Sequence, residues 1–327
     1  MQVLCTGASG FIGRALCNSL VRAKQSVRCA ARSCVPTLPG IVDQTAWGSS
    51  EAPETICIGD IGPETNWSEA LAGAEVVVHL AARVHVLNEK SCDPLAEFRL
   101  VNVAGTERLA RMAVSAGVRR LVYVSSIKVN GECTREMPFT EADVSNPQDA
   151  YGLSKWEAEQ ALLKIAAETG MEVVIVRPPL VYGPGVGGNF LRMMNFISRG
   201  IPLPLGSTHN LRSLVYLGNL VDALVACVTH PRAAGKTFLI SDGEDVSTPD
   251  LVHRLAQAME RSSRLVRFPP ALLHLAGRFT GKSAEVERLL SSLRVDSSKI
   301  RQELQWTPSF SVTQGLCETA AWYPSRT

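Results

Sequence analysis

Short apolar runs alternate with longer segments of helical periodicity through the first half of the chain. The runs 76–80 and 121–124 are apolar on both faces, which is typical of strands in the middle of a parallel sheet that is covered on both sides. Strands are predicted at 3–5, 26–31, 55–58, 75–80, 120–125 and 172–176, with helices at about 11–24, 93–116 and 149–169. This alternation predicts an α/β fold built on a doubly wound parallel sheet of the Rossmann type.

The pattern changes at 177–185, where three prolines and two glycines exclude a regular element. Helical periodicity dominates after this point, interrupted by one strand-like run at 236–240. We therefore expect a dinucleotide-binding domain over 1–177 and a smaller, mostly helical substrate lobe over 178–327. The segments 212–217 and 236–240 are candidates for a return to the first domain.

Composition narrows the class of protein without identifying it. A hydrophobic fraction of 46% and a charged fraction of 20% are ordinary for a globular protein, and a net charge of +2 without a basic stripe argues against a nucleic-acid partner. The nine cysteines include no Cys-x-x-Cys pair, so we expect reduced thiols, no metal site and a cytoplasmic location. No apolar run reaches the ~18 residues of a membrane span. The apolar segment 270–278 suits either a buried helix, which is favoured, or a membrane-surface contact.

Glycines 7, 10 and 13 lie between the first predicted strand and the first predicted helix. Such glycines allow a tight turn, a close approach of a pyrophosphate to the backbone, and close packing of helix on strand. The free N–H groups at the helix N-terminus then favour a phosphate. This segment is predicted to bind a dinucleotide.

The second strand bears on which dinucleotide binds. NAD sites usually carry Asp or Glu at its end, whereas here the strand ends in Ala-Ala-Arg32 without an acid. Because arginine pairs with a 2′-phosphate, NADP(H) is favoured and NAD(H) remains possible. Asp60, after the third strand, is placed to hold the adenine end.

Tyr151 and Lys155 are four residues apart on a predicted helix and therefore share one face. An ammonium group beside a phenol stabilises the phenolate, so we expect Lys155 to lower the pKa of Tyr151 from about 10. Such a tyrosine exchanges protons near neutral pH.

Six motifs together resemble the extended short-chain dehydrogenase/reductases, the NAD(P)-dependent nucleotide-sugar epimerase/dehydratase group, over nearly the whole chain. They are Thr6-Gly-Ala-Ser-Gly-Phe-Ile-Gly13, His79-Leu-Ala-Ala82, Asn102-Val-Ala-Gly-Thr106, Val124-Ser-Ser126, Tyr151-Gly-Leu-Ser-Lys155 and Arg177-Pro-Pro-Leu-Val-Tyr-Gly-Pro184. The resemblance implies a catalytic triad in which Tyr151 exchanges a proton with the sugar oxygen and Ser126, rather than Ser125, hydrogen-bonds that oxygen. Lys155 would lower the pKa of Tyr151 and hold the nicotinamide ribose.

The resemblance also implies a set of binding residues. The cofactor-binding residues are Gly7, Ser9, Gly10, Phe11, Ile12, Gly13, Arg32, Asp60, Ile61, Leu80, Ala81, Ala82, Asn102, Tyr151, Lys155, Pro178 and Val181. The residues expected to bind a UDP-sugar substrate are Arg83, His85, Ser126, Asn189 and Arg212, the last at its pyrophosphate. A homodimer through the helices at 93–116 and 149–169 is expected.

Ile127 and Lys128 stand where the family's 4,6-dehydratases carry Asp-Glu, so water elimination is not expected. The sequence also resembles bacterial reductases of surface-polysaccharide synthesis. The favoured function is therefore NADPH-dependent reduction of the C4 keto group of a UDP-4-keto-6-deoxy-N-acetylhexosamine. The alternative is a UDP-hexose or UDP-N-acetylhexosamine 4-epimerase with bound NAD, and a non-catalytic NADP-binding sensor is a remote third.

Overall fold

A computed structural model describes residues 1–33, 53–84, 93–279, 281 and 283–323. The strands are β1 (Gln2–Thr6), β2 (Ser26–Ala31), β3 (Glu54–Cys57), β4 (Val76–His79), β5 (Arg120–Val124), β6 (Glu172–Arg177), β7 (Leu180–Tyr182), β8 (Arg212–Tyr216), β9 (Thr237–Leu239) and β10 (Asp245–Val246). Seven of them form a sheet in the order β3-β2-β1-β4-β5-β6-β9, and all its neighbouring pairs are parallel. The predicted doubly wound fold class is confirmed.

The helices are α1 (Phe11–Arg22), α2 (Ser68–Leu71), α3 (Pro94–Arg99), α4 (Gly105–Ser115), α5 (Ala150–Thr169), α6 (Gly188–Ser198), α7 (Leu217–Thr229), α8 (Thr248–Ala258), α9 (Pro270–Phe279), α10 (Ser283–Leu290), α11 (Ser298–Leu304) and α12 (Val312–Trp322). A π-helical turn, Leu100–Ala104, joins α3 to α4. The helix predicted at 93–116 therefore contains one wider turn in its first half.

Alternate residues of the central strands face opposite layers, as the period of two in a strand requires. On one face, Val76 and Val78 of β4 pack with Leu16 of α1 and Leu220 of α7. On the other face, Val77 packs in a cluster with helices α2, α4 and α5. Both faces of the sheet are consequently buried, which explains why its strands are apolar throughout.

A second, three-stranded sheet has the order β10-β8-β7, in which β7 and β8 are parallel and β10 is antiparallel to β8. Its apolar residues pack with helices α6, α8 and α12 in a separate core cluster. Of the two segments considered as returns to the first domain, 237–239 pairs with β6 and 212–216 forms the middle of this second sheet. The domain boundary near residue 177 stays a prediction.

The segment favoured as a buried helix, 270–278, forms α9, but one side of α9 faces outward. Leu272, Leu275 and Phe279 are exposed, because the packing of α9 on α10 covers the side that carries Gly277. The favoured expectation for this segment was therefore wrong. Within the described ranges, no helix is both long and apolar enough to cross a membrane.

Candidate active site

The turn between β1 and α1 has the geometry that its glycines predict. Gly7 has a φ of +67°, and a Cβ on it would lie 2.8 Å from the backbone nitrogen of Ala81, so the turn presses against the loop that follows β4. A Cβ on Gly13 would lie 2.2 Å from the carbonyl oxygen of Gly7. The backbone of α1 therefore sits directly on the turn, which only glycine at these two positions permits.

The N-terminus of α1 suits an anionic ligand. No side chain caps it, and its first turn contains no acidic residue. The predicted residues Gly7, Ser9, Gly10, Phe11, Ile12 and Gly13 all lie in this turn and the start of α1. Unpaired N–H groups and the positive end of the helix dipole favour a phosphate here, so the residues present fit a dinucleotide pyrophosphate.

Arg32 and Asp60, the two charged residues predicted at the adenosine end, form an ion pair. The distance between Arg32 Nε and Asp60 Oδ1 is 2.8 Å, and the side chains are 82% and 85% exposed. Next to Asp60, the side chain of Ile61 lies against Gly105, where an added Cβ would approach it to 2.6 Å. A ribose phosphate at this end would therefore meet a guanidinium group and a carboxylate together.

A row of buried polar side chains runs beneath the loop after β4. His79 bonds Thr6 through Nδ1 (2.6 Å) and Thr106 through Nε2 (3.0 Å). Burial, and next to it the charge of Lys155, lowers the pKa of His79 to about 3, so the imidazole is neutral. The hydroxyl of Thr6 also accepts a bond from the backbone N–H of Ala81 (3.2 Å). This row fixes residues 80–82, which are predicted to border the cofactor.

Asn102 is held by the π-helical turn and connects this loop to α5. Its side-chain oxygen accepts a bond from Arg83 N (2.8 Å), and its Nδ2 donates to Arg83 O (3.0 Å) and to Ser154 Oγ (3.0 Å). Ser154 in turn donates to the carbonyl oxygen of Tyr151 (2.8 Å). Asn102 thus ties the loop after β4 to the turn of α5 that carries Tyr151. Wide helical turns of this kind often occur at functional sites.

Lys155 is almost fully buried on α5. Its Nζ donates to the carbonyl oxygen of Val124 (2.7 Å) and lies 4.0 Å from the centre of the Tyr123 ring. Burial lowers the pKa of Lys155 to about 7, and the charge of Glu159 opposes this effect. The ammonium group therefore titrates near neutral pH.

The expected lowering of the Tyr151 pKa is not seen in this structure. Burial, and next to it the charge of Asp149, raises the pKa of Tyr151 to about 12. Asp149 lies close because it caps α5, accepting a bond from Gly152 N (2.7 Å). A nearby Lys155 was expected to dominate, but burial and the capping carboxylate both favour the neutral phenol.

Ser126 begins a short 3-10 turn directly after β5. Its Oγ accepts a bond from Lys128 N (3.3 Å), and its side chain is partly accessible, whereas Ser125 is buried. Ile127 is buried in the core, and Lys128 forms ion pairs with Asp149 and Glu132. The two positions that replace the dehydratase acids are thus a core residue and a paired cation.

A buried ion pair that sequence reasoning missed supports α5. Arg177, the last residue of β6, binds Glu159 of α5 in a bidentate manner, with distances of 3.0 Å (Nε–Oε1) and 2.5 Å (Nη2–Oε2). Its Nη1 donates to Asn130 Oδ1 (2.9 Å). The available signal was the position of Glu159, four residues after Lys155, and of Arg177, directly before the prolines.

The predicted substrate residues Arg83, Arg212 and Asn189 have different surroundings. The guanidinium carbon of Arg83 lies 5.7 Å from the centre of the Phe98 ring, which in turn makes an edge contact with Tyr151. Arg212 Nη1 donates to the carbonyl oxygens of Arg288 (2.7 Å) and Ser291 (3.2 Å), and burial lowers the pKa of its guanidinium group. Asn189 is exposed near the start of α6.

Three further residues predicted to bind cofactor or substrate are His85, Pro178 and Val181. His85 lies outside the described residues. The carbonyl oxygen of Pro178 accepts a bond from Ile127 N (3.0 Å), and Val181 is half-buried in β7. Pro178 is therefore attached to the turn that begins at Ser126, while the structure places Val181 in the second sheet.

The parallel sheet, the glycine turn and the Tyr-x-x-x-Lys helix define an extended short-chain dehydrogenase/reductase. The model of the NAD dependent epimerase/dehydratase family matches residues 3–241, and the chain belongs to that family.

Known proteins resemble the chain along almost its full length. A UDP-glucose 4-epimerase of Vibrio cholerae is 43% identical over 98% of this chain and 94% of its own. The N-acetyl-alpha-D-glucosaminyl-diphospho-ditrans,octacis-undecaprenol 4-epimerase of Escherichia coli O157:H7 is 26% identical over 97% of this chain and 94% of its own. The solved structure of MoeE5 in complex with UDP-glucuronic acid and NAD has a TM-score of 0.79 at 25% identity, and the match covers 100% of both chains.

The buried ion pair yields a stability prediction. Glu159→Gln leaves the Arg177 guanidinium buried without a counter-charge, so we expect the free energy of unfolding to fall by about 3–5 kcal/mol. Glu157→Gln is the matched control on the same helix. Its partner Arg99 is half exposed, so we expect a loss of at most about 1 kcal/mol. Urea denaturation measures both, and equal losses would contradict the assigned role of Glu159.

The shifted pKa of Lys155 yields a pH prediction. Between pH 7 and about 10, the unfolded chain holds the Lys155 proton and the folded protein does not. Lys155 therefore makes the free energy of unfolding rise with pH over this window, by up to about 1.4 kcal/mol per pH unit. The Lys155→Met variant lacks this contribution. We therefore expect the stability of the variant, relative to the wild type at the same pH, to be greatest below pH 7 and to decline towards pH 10.

Lys164→Met on the same helix is the control, because Lys164 is 71% exposed. Its stability difference from the wild type should not change with pH. Denaturation curves recorded across this pH range give both differences. Parallel pH profiles for Lys155→Met and the wild type would show that Lys155 is not buried as described.

Proposed function

We propose that this enzyme inverts the configuration at C4 of a UDP-hexose or UDP-N-acetylhexosamine, with NAD held through the whole cycle. The observation that carries the proposal is the 43% identity with the Vibrio cholerae UDP-glucose 4-epimerase over 98% of the chain. MoeE5, solved with NAD and a UDP-sugar, supports the same cofactor and substrate class. These findings reverse the order favoured by the sequence, which placed the reductase first.

NAD, when bound, would accept a hydride from C4 and return it to the opposite face of the keto sugar. In the first half of the cycle Tyr151, as phenolate, takes the C4 hydroxyl proton; in the second half it gives that proton back. Ser126 donates a hydrogen bond to the same oxygen. These roles suit a side chain that begins α5 and another that follows β5, because α5 begins at the edge of the sheet where β5 ends.

The pKa values of Tyr151 and Lys155 indicate the role of Lys155 in the proposed cycle. A Tyr151 pKa of about 12 favours the phenol, which is the form that donates a proton at neutral pH. Proton removal from the sugar needs the phenolate, and a nearby ammonium group stabilises it. Since the pKa of Lys155 is about 7, a modest shift in its surroundings changes its charge. We propose that Glu159 keeps Lys155 protonated for this half of the cycle.

The surroundings of Ser126 support epimerisation over dehydration. Ile127 is buried, and the nearby carboxylates of Glu132 and Asp149 are engaged by Lys128. An elimination of water needs a free acid and a free base beside the sugar. Neither position after Ser126 supplies one.

The second candidate is the NADPH-dependent reduction of a UDP-4-keto-6-deoxy-N-acetylhexosamine. Arg32 favours it, because its exposed guanidinium group follows β2 and no acid ends that strand. Asp60 weakens this argument, since its carboxylate already pairs with Arg32 and would repel a 2′-phosphate. The same Tyr151 and Lys155 would serve this reaction, with Tyr151 as the proton donor.

The decisive experiment supplies NAD alone, without a reductant. We expect UDP-glucose or UDP-N-acetylglucosamine to be converted to its C4 epimer, read by NMR, with no net change in NADH absorbance. Tyr151→Phe should slow this conversion about 10²–10⁴-fold because it removes the proton carrier. Tyr323→Phe is the control, since this hydroxyl bonds Asn195 and Ser198 in the C-terminal lobe. Consumption of NADPH by a 4-keto sugar, without epimerisation, would instead establish the reductase.

Cofactor choice is tested at the Arg32–Asp60 pair. We expect Arg32→Ala to weaken NADPH binding about tenfold more than NADH binding, because only NADPH carries a phosphate for the guanidinium group. Asp60→Asn should shift the preference towards NADPH by removing a repelling charge. Arg22→Ala, an exposed arginine at the end of α1, is the control. Calorimetric titration gives the affinities; equal losses for both cofactors in Arg32→Ala would remove the phosphate role.

A further inference from the structure

Three large apolar side chains on α9 point into solvent. Leu272, Leu275 and Phe279 are 47%, 48% and 84% exposed. Their spacing of three and four residues places them on one side of the helix, where they form an apolar stripe. The proposed epimerase chemistry makes no use of this stripe.

The other sides of α9 are accounted for by α10. Gly277 packs against Val286, where an added Cβ would come within 2.9 Å of the valine side chain. His274 and Arg278 line a cleft with Ser283 and Glu287, and His274 Nδ1 lies 3.5 Å from Glu287 Oε2. The helix therefore presents a side packed on α10, a polar side that borders the cleft, and the apolar stripe.

The segment that leads into α9, together with α9 itself, carries positive charge. Residues 261–279 contain four arginines and no acid, in a chain whose net charge is only +2. All four are exposed, namely Arg261, Arg264, Arg267 and Arg278.

Backbone bonds to residues 203–206 fix the position of this basic segment. Leu203 N donates to Arg264 O (2.8 Å), and Gly206 N donates to Val266 O (3.0 Å). Arg264 and Arg267 are thus held on a fixed segment that α9 follows directly in the chain.

We infer that the apolar stripe and the basic segment form a docking surface for an anionic lipid bilayer. Short amphipathic helices with arginines beside leucine and phenylalanine lie in the interfacial plane of a membrane, with their apolar side among the acyl chains. Anionic headgroups attract arginines close to the surface. The proposal stands independently of the reaction at C4.

The size of the stripe distinguishes a bilayer from a second copy of the chain. Its residues span about 10 Å of helix, whereas a stable dimer buries about 800 Å² on each partner. Three side chains are too few to bury that area. The positive charge around them also does not suit contact with an identical surface. Two such basic regions would also repel each other.

Sedimentation of the full chain with sucrose-loaded vesicles tests the inference. We expect binding to vesicles rich in phosphatidylglycerol and at least about tenfold weaker binding to phosphatidylcholine alone, since two or more arginines contribute. Leu275→Ser combined with Phe279→Ser should reduce binding at least about tenfold. Arg267→Glu should reduce binding to the anionic vesicles and leave the weak binding to phosphatidylcholine unchanged.

The controls are Val144→Ser, an exposed apolar residue elsewhere in the chain, and Arg135→Glu, an exposed arginine outside the basic segment. Both should bind vesicles like the wild type, and all variants should keep the wild-type melting temperature. Equal binding to both vesicle types, or wild-type binding by the stripe variant, would overturn the inference. So would light scattering that shows a dimer dissociated by the stripe variant.

Discussion

The bidentate ion pair between Arg177 and Glu159 is the interaction on which the geometry of the site depends. It joins the last residue of β6 to the middle of α5 inside the protein, where an unpaired charge of either sign would be strongly destabilising. The amide of Asn130 binds a further nitrogen of the same guanidinium group. Because α5 carries Tyr151 and Lys155, and Asn130 ends the turn that begins at Ser126, one pair supports all three proposed catalytic residues.

The same carboxylate also acts on the proton affinity of Lys155. Burial favours the neutral amine, and Glu159, one helical turn further along, favours the ammonium form. His79, beneath the site, instead has both ring nitrogens engaged, with Thr6 and with Thr106. Lys155 is thus poised between two charge states by one buried carboxylate rather than by solvent. A proton-handling site benefits from this balance, because small changes in its surroundings move the equilibrium.

The features that the sequence predicted well depend on residues that are close together in the chain. The strand positions follow from runs of apolar residues, and the turn at Gly7 and Gly13 follows from steric limits on the backbone. Interactions between distant segments were not predictable in this way. The Arg177–Glu159 pair joins residues 18 apart, and the Arg32–Asp60 pair forms only once β2 and β3 are neighbours. The direction of the Tyr151 pKa shift was predicted wrongly, because the four-residue spacing of Tyr151 and Lys155 does not reveal that the tyrosine is buried. The apolar segment that forms α9 has the same composition whether it is buried or exposed.

The epimerase and the reductase need nearly the same catalytic groups at C4 of the sugar. The residues proposed to bind the adenosine end of the cofactor therefore distinguish the two reactions. An epimerase regenerates its NAD in every cycle and gains from retaining it, whereas a reductase must exchange the cofactor after each turnover. At the site proposed for this end, the protein places one guanidinium group and one carboxylate 2.8 Å apart, a combination with no net charge. A 2′-phosphate would be attracted by Arg32 and repelled by Asp60 at similar distances, and the two effects oppose each other. A ribose hydroxyl can instead donate to the carboxylate while the ion pair remains intact. The geometry at Arg32 therefore agrees better with the proposed NAD-dependent epimerase than with the reductase, although the arginine considered alone favours NADP.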